Sequence, residues 1–165
     1  MVRSMNEIDK GGFEVLKNIN PLLNADVLYA LRAMGHGDDL VIADTNFPSD
    51  SVARDTKLGR LLRIDNTTAA EAIRAILSVM PLDSFVDHPA ERMEIVGSPN
   101  DIPKVQQEVQ REIDRAEKKS MPMGTIERME FYERAKKSYC VIQTGETRFY
   151  GCFILKKGVI PPKRG

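Results

Sequence analysis

The 165-residue sequence lacks several features that would assign it to a particular class of protein. It has only two cysteines, Cys140 and Cys152, which form no Cys-x-x-Cys motif and lie near no histidine. Both stand in apolar runs, as buried structural thiols do. No apolar run reaches the roughly 18 residues of a membrane span, and the polar residues 1–10 lack the hydrophobic core of a signal peptide. We therefore expect a cytoplasmic protein that does not bind membranes.

An excess of charge of one sign is also missing. Lysine and arginine together number 24, aspartate and glutamate also number 24, and the formal net charge is zero at pH 7. Proteins that bind nucleic acid usually carry a basic excess. We therefore expect no nucleic-acid partner, and a near-neutral surface is compatible with self-association.

The motifs of common catalysts are missing as well. The sequence contains no Gly-x-x-x-x-Gly-Lys-Ser/Thr phosphate loop, no Gly-x-Gly-x-x-Gly dinucleotide motif and no Gly-x-Ser-x-Gly nucleophile elbow. Its two histidines, His36 and His88, are far apart and form no local pair of ligands. We therefore expect no metal site.

What the sequence does contain is an alternation of strand-like and helix-like segments. Apolar runs predict strands at 39–44, 61–65, 93–96, 125–128, 139–143 and 148–155. Helical spacing of apolar residues predicts helices at 24–34, at 68–80, from Asp101 to about 120, and at 130–137. The polar segment 50–58 is predicted to be irregular.

This alternation predicts an α/β protein with a three-layer α/β/α architecture, in which helices cover both faces of a mixed, mostly parallel sheet. The runs at 139–143 and 148–155 are separated by a short turn, so we expect an antiparallel pair there. The length fits one domain. We divide the chain into a polar extension at 1–13, the domain at 14–160 and a polar tail at 161–165.

The segment Met-Gly-His-Gly-Asp-Asp at 34–39 holds the first candidate functional residue, His36. Both of its neighbours are glycines without a Cβ, so a substrate could approach the imidazole closely. A histidine donates and accepts protons near neutral pH, which suits general acid–base catalysis. The residues alone leave a second interpretation open, in which His36 is a surface turn residue bonded to Asp38 or Asp39.

Asp44 is the second candidate, because it follows the predicted strand at 39–44. Ligands of open α/β sheets bind at the carboxyl ends of the strands. The segment Asn-Phe-Pro-Ser at 46–49 has turn chemistry. Asp44 is therefore either a ligand-binding residue or a cap for that turn, and the two interpretations stay open.

A series of motifs, in order along the chain, resembles the L-fucose mutarotase and D-ribose pyranase family. The amino-terminal half contains Lys-x-Ile-x-Pro-Leu at 17–22, Met-Gly-His-Gly-Asp at 34–38 and Asp-x-x-Phe-Pro at 44–48. The carboxyl-terminal half contains Phe-Tyr-Glu-Arg-Ala at 131–135, Thr-Gly-Glu at 144–146, Tyr-Gly at 150–151 and Leu-Lys-Lys-Gly-Val at 155–159. These later motifs are similar to the fucose branch, and the resemblance covers about residues 16–160.

The resemblance implies an isomerase that interconverts the anomers of a free monosaccharide, with L-fucose expected, by general acid–base catalysis without metal or cofactor. It also implies a ring-shaped homo-oligomer, often a decamer, with sites completed by neighbouring subunits. Two alternatives remain. One is a mutarotase for another sugar, such as a D-ribose pyranase-like enzyme, and the other is a non-catalytic sugar-binding accessory protein.

The same resemblance assigns roles to individual residues. It implies that His36 donates a proton, that Asp44 binds the sugar and that Tyr132 is a further candidate for the proton relay. Arg128 stands where the fucose branch has a binding arginine and the ribose branch tends to have histidine. The carboxyl-terminal binding segment of the family corresponds to Tyr150, Gly151 and Cys152. The family usually has asparagine at the position of Cys152, and this difference leaves open that the substrate is a sugar other than L-fucose.

Overall fold

The structure is a computed structural model and describes residues 15–163. The predicted extension at 1–13 lies outside the described residues. Five helices and six strands occur in the described part of the chain. In order they are α1 (Ala25–Ala33), β1 (Asp39–Ala43), α2 (Ser49–Ala53), β2 (Leu62–Ile64), α3 (Ala69–Leu77), β3 (Ala90–Met93), α4 (Lys104–Glu117), β4 (Gly124–Ile126), α5 (Arg128–Lys137), β5 (Cys140–Thr144) and β6 (Phe153–Lys156). None of the helices between residues 15 and 163 is both long and apolar enough to cross a membrane.

The six strands form one sheet in the order β2-β5-β1-β6-β3-β4. β1 and β5 pair in parallel with Leu40 opposite Cys140, and β2 pairs in parallel with the other side of β5. β3 and β4 are also parallel, whereas β6 runs antiparallel to both β1 and β3. Five strands therefore point in one direction, which confirms the mixed, mostly parallel sheet.

The antiparallel strand has different neighbours from those predicted. The runs at 139–143 and 148–155 were expected to pair with each other, but β1 lies between β5 and β6. Both edges of β5 are already occupied, by β1 and β2, so β6 pairs with the remaining edge of β1. β6 is also shorter than predicted, because residues 148–152 form a loop at the end of the sheet.

Alternating residues of β1 show how the layers are arranged. Leu40 and Ile42 belong to a buried cluster with residues of α1, α3 and α4. Val41 and Ala43 belong to a second cluster, on the opposite face, with residues of α2 and α5. Successive side chains of a strand point to opposite faces, so helices cover the sheet on both sides and the three-layer prediction is confirmed.

Two helix starts follow their predicted caps. The side chain of Asn24 accepts a hydrogen bond from the N–H of Val27 at 3.0 Å. Thr68 and Glu71 form the reciprocal capping box at the start of α3. The start of α4 was predicted too early, since Pro103 is the N-cap and the helix begins one residue later. Proline disfavours helical backbone at the residue before it, which keeps Ile102 out of the helix.

Other boundaries also differ from prediction. The segment 50–58 was expected to be irregular, but α2 occupies its first part. The strand predicted at 93–96 is β3, displaced toward the amino terminus. The strand predicted at 125–128 ends earlier, because the Glu127 side chain accepts the N–H groups of Met129 and Glu130 and starts α5 there. Arg128 is therefore the first residue of a helix.

Candidate active site

A pocket opens at the edge of the sheet where β1, β3 and β4 end and β6 begins. Its volume is about 240 Å³, slightly below the usual range for ligand sites. The residues that line it are Asp44, Asn46, Phe47, Met93, Arg128, Tyr132, Phe149, Tyr150 and Cys152. The structure thus brings together five of the seven site residues expected from the sequence, although they come from three separate parts of the chain.

Asp44 organises the floor of this pocket with a carboxylate that is only 4% exposed. Its Oδ1 accepts hydrogen bonds from the N–H groups of Asn46 at 3.0 Å and Phe47 at 2.9 Å. Its Oδ2 accepts one from the N–H of Gly151 at 3.1 Å. The turn interpretation of Asp44 is therefore confirmed, and the same side chain also lines the pocket.

The segment from Tyr150 to Cys152 forms one wall. Tyr150 has a φ of +62°, a left-handed conformation that costs a non-glycine residue about 1 kcal/mol or more. Its hydroxyl oxygen accepts a hydrogen bond from the N–H of Val96 at 3.3 Å. Burial, together with the negative charge of Asp44, raises the pKa of the Cys152 thiol well above its usual range. The thiol therefore stays protonated at neutral pH.

Gly151 lies in a space that admits no side chain. A Cβ there would stand 2.7 Å from Cγ of Glu146 and 3.3 Å from Cβ of Asp44. Glu146 is itself fixed, because its carboxylate accepts hydrogen bonds from Arg148 and from the N–H of Ala69 at the start of α3. Burial alone would raise the pKa of Glu146, but these hydrogen bonds outweigh it and lower the pKa.

Aromatic rings and one cation complete the pocket. The rings of Tyr132 and Phe47 pack with centroids 5.2 Å apart, and Phe131 meets Phe47 edge-on behind them. Arg128 is exposed and forms no ion pair with any other residue between 15 and 163. Its guanidinium therefore offers unpaired donors at the pocket, in the planar arrangement that suits several oxygen atoms at once.

His36 lies elsewhere, at the amino end of β1. Its Nε2 is 3.1 Å from Oδ1 of Asp83, and its ring packs against Phe85 with centroids 5.4 Å apart. Asp83 Oδ1 also accepts the N–H of Phe85 at 3.0 Å. That N–H and the imidazole lower the pKa of Asp83 against the effect of burial. The imidazole is held by an ionised carboxylate, yet the His36 side chain remains 45% exposed.

The partners predicted for His36 in a simple surface turn were wrong. Asp38 instead accepts the N–H of Gly35 at 2.7 Å, and Asp39 pairs with Lys156 at 2.6 Å. The left-handed residue of this turn is Gly37, with a φ of +83°.

The single chain does not place His36 in the pocket with Asp44. The five residues of β1 lie between them and extend roughly 16 Å at about 3.3 Å per residue. The two residues are close in sequence, but β1 is extended and puts them at its opposite ends, so they lie on opposite sides of the sheet along the strand direction. One copy of the chain therefore does not bring His36 and Asp44 together.

Sequence reasoning missed several pocket residues and the partner of His36. Asn46, Met93 and Phe149 line the pocket without any local signal of binding chemistry. Asp83 stands 47 positions after His36, between the helix predicted at 68–80 and the strand predicted at 93–96. A pairing over that separation depends on where α3 returns the chain to the sheet, which no local pattern encodes.

Comparisons with known proteins agree with this architecture. Residues 17–160 match the RbsD / FucU transport protein family. The fucose mutarotase of Bos taurus is 43% identical over 153 residues, which cover 90% of this chain and 97% of that protein.

Two solved structures extend the comparison to the fold. The protein Atu2016 is 66% identical with a TM-score of 0.88, over 90% of this chain and 99% of that one. The fucose mutarotase of Streptococcus pneumoniae, solved in complex with L-fucose, is 40% identical with a TM-score of 0.79, over 88% of this chain and all of that one. With the family match spanning nearly the whole described chain, this protein belongs to the RbsD/FucU family.

Proposed function

We propose that this protein is an L-fucose mutarotase, an isomerase that interconverts the α and β anomers of the free sugar. The observation that carries the proposal is the pocket that joins Asp44, Arg128 and Tyr132 in a chain 40% identical to a mutarotase solved with L-fucose. Its small volume suits one monosaccharide. The unpaired Arg128 supports the fucose branch over the ribose branch.

The reaction needs only proton transfers. The ring oxygen gains a proton, the hydroxyl at C1 loses one, and the bond between C1 and the ring oxygen breaks to give the open-chain aldehyde. Rotation about the bond between C1 and C2 exposes the other face of the carbonyl, and closure reverses the proton transfers. Positioned acids and bases typically contribute about 10²–10⁴-fold to such steps.

The proposed roles follow the chemistry of each side chain. His36 is the proton donor, and Asp83 orients its ring and stabilises the imidazolium form. Tyr132 relays the second proton through its hydroxyl. Binding falls to Asp44, Arg128 and the segment 150–152, in which Cys152 offers a protonated thiol to the sugar.

We also propose that a neighbouring copy of the chain supplies His36 to each pocket, within a ring-shaped homo-oligomer such as a decamer. Three observations support this arrangement. His36 and Asp44 stand at opposite edges of one sheet, and the ring packed on His36, Phe85, is 74% exposed. Phe149, at the pocket, is 73% exposed.

Two buried reduced cysteines support a location in the reducing cytoplasm.

The test is protein-dependent anomer exchange, measured by NMR magnetisation transfer between the two C1 protons of L-fucose. We expect exchange to be faster with the protein than without it, and faster for L-fucose than for D-ribose. Exchange of D-ribose or another sugar alone would replace L-fucose as the substrate. Binding of L-fucose without any exchange would contradict the enzyme and favour a sugar-binding accessory protein.

His36→Ala and His88→Ala form a matched pair, because they remove the only two histidines of the sequence one at a time. His88 is exposed, and its side chain has one hydrogen-bond contact among the described residues, with the carbonyl of Pro122 at 3.4 Å. We expect His36→Ala to lose about 10²-fold or more of the exchange rate and His88→Ala to retain it. Equal rates in the two variants would remove His36 from the mechanism.

A further inference from the structure

One peptide group of the pocket wall is held from both of its sides. The N–H of Gly151 donates to Asp44 Oδ2 at 3.1 Å, and the carbonyl oxygen of Tyr150, in the same peptide group, accepts from Gln106 Nε2 at 3.1 Å. The residue that precedes this peptide bond has the left-handed φ of +62°, and the residue that follows it is a glycine. Backbone of this kind keeps one orientation only while its surroundings fix it.

The surroundings of Gln106 hold its side chain where it can donate to this peptide group. Gln106 lies in the first turn of α4, is fully buried, and its Nε2 also donates to the carbonyl of Met93 at 2.7 Å. Its Oε1 accepts a hydrogen bond from Arg92 Nη1 at 3.0 Å. An arginine can only donate, so this contact fixes which end of the Gln106 amide faces the two carbonyl groups.

Arg92 is in turn held in place without a carboxylate partner among residues 15–163. It is 5% exposed, and its guanidinium donates to the carbonyl oxygens of Pro99 at 3.1 Å and Asp101 at 3.4 Å. A buried cation is retained when its donors are satisfied. The loop at 97–103 and the start of α4 are thereby tied to the back of the pocket.

We propose that Gln106 is a positioning residue for sugar binding: it locks the Tyr150–Gly151 peptide group and through it fixes the Asp44 carboxylate and the Tyr150 ring, while Arg92 sets the orientation of its amide. This inference rests on the proposed function for the identity of the sugar. The Gln106 side chain does not line the pocket. Its loss should therefore weaken binding through the wall that it supports.

The consequence for kinetics is specific. Without the donor from Gln106, the peptide group can rotate, and Asp44 loses the N–H that holds its Oδ2. Asp44 and Tyr150 bind the sugar in the proposed mechanism, whereas His36 and Tyr132 move its protons. We therefore expect the KM for L-fucose to rise about tenfold or more, while kcat changes by less than about threefold.

Two variants of Gln106 make the test, with Gln110→Leu as the matched control. Gln106→Leu removes both donors. Gln106→Glu keeps the size of the side chain and its contact with Arg92, but turns an acceptor toward the two carbonyl groups, so it remains informative if the leucine variant does not fold. Gln110 is one helical turn further along α4 and bonds to the backbone of Met121 and Met123, away from the pocket.

Three measurements decide the outcome: KM and kcat by NMR exchange, the melting temperature, and amide hydrogen exchange of residues 147–153. We expect both Gln106 variants to raise KM and to speed amide exchange at 147–153, and Gln110→Leu to lower the melting temperature without either effect. An unchanged KM in a folded Gln106 variant would overturn the inference. If the unsubstituted protein exchanges no sugar anomers, the proposed function fails, and unchanged amide exchange at 147–153 would separately overturn the peptide lock.

Discussion

Gly151→Ala tests how tightly the pocket wall is packed. The added Cβ would lie 2.7 Å from Cγ of Glu146, which no ordinary contact permits, and Glu146 cannot move without losing its hydrogen bonds to Arg148 and Ala69. Overpacking of this kind costs about 1–3 kcal/mol of unfolding free energy. For a chain of this length the melting temperature should fall by about 2–10 °C. Sugar affinity should fall as well, since Asp44 lies 3.3 Å away on the other side.

The assay is thermal or urea unfolding at one fixed protein concentration, because assembly makes stability depend on concentration. Gly35→Ala is the control. The atom nearest to a Cβ added at Gly35 is 3.8 Å away, and the φ of Gly35 is not left-handed. We expect the control to be neutral or to stabilise by up to about 1 kcal/mol. A Gly151→Ala protein as stable as the control, with unchanged affinity for L-fucose, would refute the packing described for this wall.

Three further outcomes follow from the same structure. Tyr132→Phe keeps the aromatic packing and removes the hydroxyl, so the exchange rate should fall by about 10²-fold with an unchanged melting temperature; a normal rate would exclude a proton relay. Hydrogen bonds from Arg74 hold the pKa of Glu112 below its usual 4.5. Its stabilisation is therefore complete above that pH and is lost as the pH falls through the lowered pKa. Urea titrations should show unfolding free energy declining in acid, with a shallower slope in Glu112→Gln; parallel slopes would contradict this. Burial raises the pKa of Cys140 to about 12 and that of Cys152 well above its usual range; a thiol reagent at pH 8 should therefore react with both much more slowly in the native protein than after unfolding, and equally rapid reaction of the native protein would contradict the raised pKa values.

Local patterns predicted the fold well where they carry their own physical cause. The apolar run of β1 has charged ends and is buried on both faces, as parallel strands are. The Thr68–Glu71 capping box determined the start of α3 from two residues alone. The pairing of β6 could not be predicted in the same way, because it depends on which sheet edge is still open after β5 has paired on both sides.

The site, like the fold, could be predicted where the cause is local and could not where it depends on contacts distant in sequence. The carboxyl ends of parallel strands meet at one edge, so Asp44 at the end of β1 was expected near the pocket and lies in it. His36 precedes the same strand, and this alone places it at the other edge. The supporting residues were missed for a related reason: Asp83 and Gln106 act through contacts 47 and 44 positions away in sequence, and both stand in segments with no chemical motif.

We propose that two copies of the chain share each mutarotase site, one giving the pocket and the other giving His36. Complementation tests it directly. His36→Ala chains keep an intact pocket, and Tyr132→Phe chains keep an intact His36. Co-expressing the two chains with different tags, and purifying oligomers that carry both tags, gives a defined mixture whose assembly native mass spectrometry can verify.

In a random equal mixture, about one quarter of the sites combine an intact pocket with an intact His36 from the neighbouring copy. We expect these oligomers to exchange L-fucose anomers at about a quarter of the unsubstituted rate, well above either single variant. If both groups instead came from the same chain, every site would lack one of them. Mixed oligomers no more active than the average of the two variants would contradict the shared site.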